Sequence, residues 1–276
     1  MKKITLIALL VFAFTSVASA APLMDFEKGK VALDYTFRPS LDFSATGTIS
    51  GYAGDLPVIG SINQSFSFSG SRDFSGDSNV ELGLTFGIGN KWALQYRQYN
   101  PTGNIWSYRD TNPSDSSEYI QIGFDGKIRS DEYNLLYSFN KNWAGFVGAV
   151  RYKGGVSAGG SASINGWSGG LTIPELWSDD QDTFQFGVVG SYNIANKTNL
   201  WGLASFGSDY RNWEAGLSYD LGKDIQLNVS YRDTKFDSLK FAGANINAPA
   251  GLESSHASVT SDVTVKGWGF GLTYKF

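Results

Sequence analysis

The chain has 276 residues, a formal net charge of −4, no cysteine, 33 glycines and 15 % aromatic residues. The length suits one large domain. The mild acidic balance leaves no basic patch for nucleic acid, and the lack of cysteine argues against a disulfide-stapled secreted module.

Met1-Lys2-Lys3 is a basic start, Ile4 to Phe14 an uncharged apolar run, and Ala18-Ser19-Ala20 the small residues of a signal-peptidase site. The run is too short to span a bilayer as a helix. The sequence therefore predicts a signal peptide over residues 1–20 and a mature domain over 21–276. Beyond it the periodicity is that of strands. Val31, Leu33, Tyr35 and Phe37 share one face, against Ala32, Asp34, Thr36 and Arg38, and the odd-numbered pattern continues through Leu41 and Phe43. Val80 to Ile88 alternates in the same way, and Gly89-Asn90-Lys91 leads into Trp92, Leu94 and Tyr96. Further tight breaks fall at Asn140-Lys141-Asn142, Ala195 to Asn199 and Gly222-Lys223-Asp224, where Asn, Gly and Asp suit hairpin turns.

Between these turns lie long polar segments, about residues 49–65, 101–117, 154–181 and 236–262. Short turns at one end and long loops at the other predict an all-β, antiparallel, up-and-down transmembrane β-barrel of about ten strands, with eight or twelve as alternatives. Two places leave the count open. Tyr119 to Phe139 switches parity near Ile128, which predicts a bulge or an extra loop. Leu200 to Phe206 is apolar on both faces.

In the last strand, Trp268, Phe270, Leu272, Tyr274 and Phe276 alternate with Gly267, Gly269, Gly271, Thr273 and Lys275. This strand resembles the C-terminal signature of bacterial outer-membrane β-barrels, which end on an aromatic residue, usually Phe. The resemblance covers the leader and the whole mature barrel. It implies integral residence in the outer membrane, contact with outer-membrane lipid, and recognition of the last strand by the barrel-assembly machinery.

If the apolar face looks at lipid, the opposite face carries Asp34, Arg38, Glu81, Arg97, Glu132, Arg151, Glu214 and Arg232, which predicts an ion-pair network in the lumen. Leu221 opposite Ile225 would set Glu214 opposite Arg232. Phe139 opposite Ala144 would set Glu132 opposite Arg151. Ile88 opposite Trp92 would make Glu81 diagonal to Arg97. Trp92, Phe139, Trp143, Trp201, Tyr274 and Phe276 fall near the short turns and Phe37, Tyr152 and Tyr231 near the long loops, as interface belts require.

Chemistry is thin. His256 is the one histidine, with Glu253, Ser254 and Ser255 beside it. Omptin-type proteases are ten-stranded barrels with a histidine and carboxylates at the rim, but matching acidic pairs are missing here, so the chain reads as a non-enzyme without cofactor. Asp179, Asp180 and Asp182 form an acidic cluster before a strand that could offer calcium several carboxylate oxygens, but no repeat or Gly-marked loop supports such a site, and a charged, soluble loop is the plainer reading. Trp106, Tyr108, Trp167 and Trp177 are candidate contacts to an extracellular ligand or surface. The expected role is structural or surface-interacting, with a largely plugged lumen. The alternatives are a narrow channel for ions or small solutes and a surface hydrolase.

Overall fold

A computed structural model describes residues 26–52, 62–72, 79–164, 167–222, 224–241 and 256–276; the predicted signal peptide lies outside them. The described chain is antiparallel β-sheet. Ten strands close a ring: β1 (Val31–Phe37), β4 (Val80–Gly89), β5 (Trp92–Tyr99), β7 (Asp115–Asn140), β8 (Trp143–Ile164), β10 (Gln181–Ala195), β11 (Thr198–Gly207), β12 (Tyr210–Gly222), β13 (Ile225–Phe241) and β14 (His256–Lys275). The seam is β1 on β14, from Ala32 opposite Lys275 to Phe37 opposite Phe270. Four further strands extend the wall at one end. β2 (Leu41–Tyr52) pairs with the upper part of β14 and with β3 (Ile62–Arg72), β6 (Thr102–Asn112) pairs with upper β7, and β9 (Trp167–Trp177) with upper β8.

The turns at the other end are tight for local reasons. Asn90 and Lys91 both adopt positive φ, 52° and 69°, matching the twist of a two-residue hairpin. At the β7–β8 turn the Asn140 carboxamide oxygen accepts from the backbone N–H groups of Asn142 and Trp143 at 2.8 and 3.0 Å.

Outside the ring runs an apolar belt. Leu82, Leu84, Phe86, Leu94, Tyr133, Val147, Phe184, Phe186, Leu217, Leu227 and Phe270 are all exposed. In water so much contiguous apolar surface would drive association; in a bilayer it is solvated by acyl chains. Trp92, Phe139, Trp143, Tyr274 and Phe276 are exposed on the same outer surface at the short-turn end.

The structure corrects the sequence reading at several points. The segments expected as long loops are largely strands. The parity switch in β7 is not a bulge: β7 and β8 keep one register from Tyr119–Ser163 to Ser138–Ala144. What changes is the surroundings. Tyr133, Leu135 and Tyr137 face lipid, whereas Ile128, on the opposite face, is buried inside. In β1–β2 the odd-numbered pattern does break. Pro39 interrupts the strand, an extra residue enters between Phe37–Phe270 and Asp42–Lys266, and Leu41 and Phe43 turn inward. Trp201, expected in the belt, also points inward and is 4 % exposed.

Candidate functional site

The lumen is stacked in three layers. At the short-turn end Phe26, Leu136, Phe146, Val189 and Leu203 form a buried apolar cluster. Phe26 precedes the first strand and folds back into the mouth of the ring. Its carbonyl accepts from the Gly89 N–H at 3.1 Å, and a Cβ on Gly87 would lie 2.3 Å from the Glu27 carbonyl oxygen, so only glycine lets this segment lie so close. At the opposite side of the lumen Tyr99, Ile128, Tyr152, Tyr210, Phe236, Leu239, Leu41 and Phe43 form a second apolar layer.

Between them lie three arginines and three glutamates. Arg38 donates to Glu214 at 2.6 Å and to Glu81 at 3.0 Å. Arg97 contacts Glu81 and donates to Glu214 at 2.8 Å. Arg232 donates to Glu81 at 2.5 Å and to Glu132 at 2.7 Å. All six are buried. β4, β5, β7, β12 and β13 each contribute one group and Arg38 follows the end of β1, so the cluster bridges the lumen rather than following one ladder. Neutral partners complete it. Arg232 Nε donates to Asn212 and Thr234, Tyr210 donates to Glu132, and Ser230 donates to Glu214. The Arg232 guanidinium also stacks over Tyr99 at 4.3 Å. Room for Arg38 comes from Gly269, where a Cβ would lie 2.9 Å from Arg38 Nη1. Towards the short turns an amide ladder continues the polar layer: Gln185 donates to Asn134, Asn134 to Gln95, and Gln95 to Thr85.

Buried ions of this kind are tolerable only when each is paired and hydrogen-bonded. Three positive and three negative groups make the cluster neutral, and a buried apolar layer lies toward each end of the lumen. Low local dielectric strengthens each pairing relative to water.

Of the predicted lumen residues, Arg38, Glu81, Arg97, Glu132, Glu214 and Arg232 meet in this cluster. Asp34 faces inward apart from it and accepts from Thr273 at 2.9 Å. Arg151 is a correction. Asn140 pairs with Trp143 across the turn and Phe139 is skipped, so Glu132 lies opposite Val150 and Asp131 opposite Arg151. A one-residue shift moves a side chain to the other face; Arg151 is exposed outside, bidentate to Asp182. Tyr152, expected in the outer belt, is inside for the same reason. Glu214 does lie opposite Arg232, and Ser218 opposite Asn228, but Arg232 reaches across to Glu81 and Glu132 instead. The sequence reading missed Tyr99, Tyr210 and Phe236; their signal was aromatics sharing parity with the charged face.

The remaining candidates do not converge. His256 begins β14 opposite Tyr52, and residues 253–255 lie outside the described ones. Asp180 pairs with Lys153 and Asp182 with Arg151, which disperses the acidic run, and no metal-binding group of carboxylates or histidine occurs among the described residues. Trp106 and Trp167 lie on β6 and β9, and Tyr108 is exposed. Lys127, Arg129 and Lys153 approach the Trp177 ring at 5.6, 4.3 and 5.5 Å, leaving it a cation platform rather than a free stacking surface.

No family model matches the chain, and no curated protein matches it in sequence. Solved structures do. The outer-membrane protease OmpT of Escherichia coli is 10 % identical with a TM-score of 0.51, over 90 % of this chain and 97 % of that one. OprG of Pseudomonas aeruginosa is 14 % identical with a TM-score of 0.29, over 92 % and 99 %. Ail of Yersinia pestis is 11 % identical with a TM-score of 0.28, over 90 % and 99 %. At 10 % identity the likeness to OmpT speaks for architecture alone, and together with the lipid-facing belt it gives the chain the fold of an integral outer-membrane β-barrel.

Proposed function

We propose that the protein is a non-enzymatic outer-membrane barrel that does not conduct, and that its extended hairpins meet an extracellular surface or ligand. One observation carries this reading: the Arg38–Arg97–Arg232 and Glu81–Glu132–Glu214 cluster crosses the lumen between two apolar layers. A hydrated ion entering would have to displace paired charges and then cross Tyr99, Tyr152 and Phe236 without polar compensation. The signal peptide over residues 1–20 and recognition of the strand ending at Phe276 by the barrel-assembly machinery belong to the same reading.

Planar-bilayer recording tests it. The wild-type protein is expected to give a silent trace. Steady, charge-selective steps that change on Glu214→Gln would instead establish the narrow channel. Replacing the projecting part of the β6–β7 hairpin, residues 104–125, by a short turn is expected to abolish adhesion to cells or glycans while the barrel stays folded.

A further inference from the structure

The strands that extend the wall reverse the polarity of the ring beneath them. On β7 the face that carries the buried Ile128 also carries Ile122 and Ile120. Beside them in register stand Tyr108 on β6 and Gly160 and Ala162 on β8. Tyr108, Ile120 and Ile122 are 49, 42 and 40 % exposed, and Leu176 of β9, opposite Val156, is 46 % exposed. The other face of the same strands carries Arg109, Gln121, Asp125 and Ser161. Water therefore bathes the outside of the extension, and its apolar side chains line the inside.

The enclosed space is shut below and open above. At Gly154 of β8 a Cβ would lie 2.9 Å from Leu239 Cδ1 and 3.3 Å from Phe241 Cζ, both from β13, which is not a neighbour of β8 in the sheet. Side chains fill the lumen at that level. Gly160 lies on the same face, about 20 Å further up at strand rise. There a Cβ would meet only the Gln121 carbonyl at 3.2 Å and Ile122 Cγ1 at 3.7 Å among the described residues, both on the adjacent β7. The floor is the apolar layer of Tyr99, Tyr152, Tyr210 and Phe236, with the neutral ion-pair cluster beneath it. The wall is joined around this base: β14 pairs with β2 and β2 with β3, and the Asp179 N–H donates to the Lys240 carbonyl at 3.0 Å, tying the β9–β10 junction to β13.

We infer that this cup binds an uncharged, hydrocarbon-rich small molecule from outside the cell. The inference rests on the reading that the extended hairpins meet an extracellular ligand, and it names the class of that ligand. A concave sheet that shows isoleucine and tyrosine side chains to water gains by covering them with an apolar guest. Charge selects the guest. From the floor up to Ile122, β6, β7 and β8 turn no ionised side chain inward, so a buried ion would find no partner. Asp110, opposite Ile120, is a carboxylate at the mouth and repels an anion. A sheet face, unlike a sheet edge, offers a peptide guest no backbone partners.

Fluorescence titration of the barrel in phosphatidylcholine nanodiscs tests this, with empty nanodiscs as the blank. The probes are the uncharged N-phenylnaphthylamine and its sulfonated counterpart, anilinonaphthalene sulfonate, which share one aromatic body. The uncharged probe is expected to bind saturably and roughly tenfold more tightly than the sulfonate, because an unpaired buried anion is costly. Ile122→Asp is expected to weaken its binding roughly tenfold for the same reason. Ala158→Trp, which fills the cup without adding charge, is expected to weaken it as well. Gln121→Asp, on the outer face, is expected to leave it unchanged. All three variants keep the lipid-facing belt, so partition into the bilayer is held constant. No saturable binding by the wild type, equal affinity for the two probes, or undiminished binding by both inner-face variants would overturn the assignment. Adhesion read in parallel separates the two claims. Adhesion without probe binding overturns the cup and leaves the surface reading standing, whereas probe binding without adhesion supports the cup and overturns surface contact.

Discussion

β7 belongs to two regions with opposite polarity. Below Ser130 its outward residues Tyr133, Leu135, Tyr137 and Phe139 meet lipid, and its inward residues Glu132 and Asn134 are polar. Above Ser130 the outward residues Gln121 and Asp125 are polar, and the same face that carries Glu132 below presents Ile128, Ile122 and Ile120. The backbone and the register do not change. What changes is the medium outside, hydrocarbon for one region and water for the other. A strand side is therefore greasy or polar according to what bathes it, and one strand can invert without a bulge.

The largest break of this contrast is expected inside. Arg232→Leu leaves Glu81 and Glu132 buried without a shared partner, and should destabilise by about 3–5 kcal/mol in urea titrations of the vesicle-inserted barrel. Phe236→Ala, in the apolar layer just above, is expected to cost about 3–4 kcal/mol by the same titration, through the cavity left against Tyr152 and Tyr210. Leu217→Arg, in the lipid-facing belt, should cost about 2–4 kcal/mol, whereas Gln121→Arg, outward on the extension, should change stability by less than about 0.5 kcal/mol. Equal costs for these two would mean that the boundary near Ser130 is misplaced. Least of all, Arg151→Ala is expected to leave the unfolding midpoint unchanged, because its pair with Asp182 stands in solvent.

The sequence carried the ring and half of the site. Alternation, tight turns and one-sided charge were enough for a ring of about ten strands, with eight or twelve left open, and for the facing of Glu214 and Arg232, because hairpin neighbours are near in sequence. The lumen contacts were not legible. Arg232 reaches Glu81 over 151 positions and Arg38 reaches Glu214 over 176, and no local pattern encodes such pairings. Arg151 was misplaced by one residue at Phe139, where the turn skips a position that alternation alone counts. Leu41 and Phe43 were misplaced because Pro39 resets the parity. The aromatic layer was visible only as hydrophobes on the wrong face, which reads as a bulge until the change of medium is known.

The seam joins the two ends of the folded chain. The Val31 N–H donates to the Phe276 carbonyl at 2.7 Å, and the Phe276 N–H donates back to Val31 at 2.9 Å. These partners lie far apart in sequence, so the ring closes only when β1 meets β14 along the run from Phe37–Phe270 to Ala32–Lys275. Removing the part of β14 from Phe270 to Lys275 that pairs with β1 would therefore do more than shorten a strand: it would leave raw edges on β1 and β13, each with unsatisfied amides facing hydrocarbon, and an open curl prone to zip onto its neighbours.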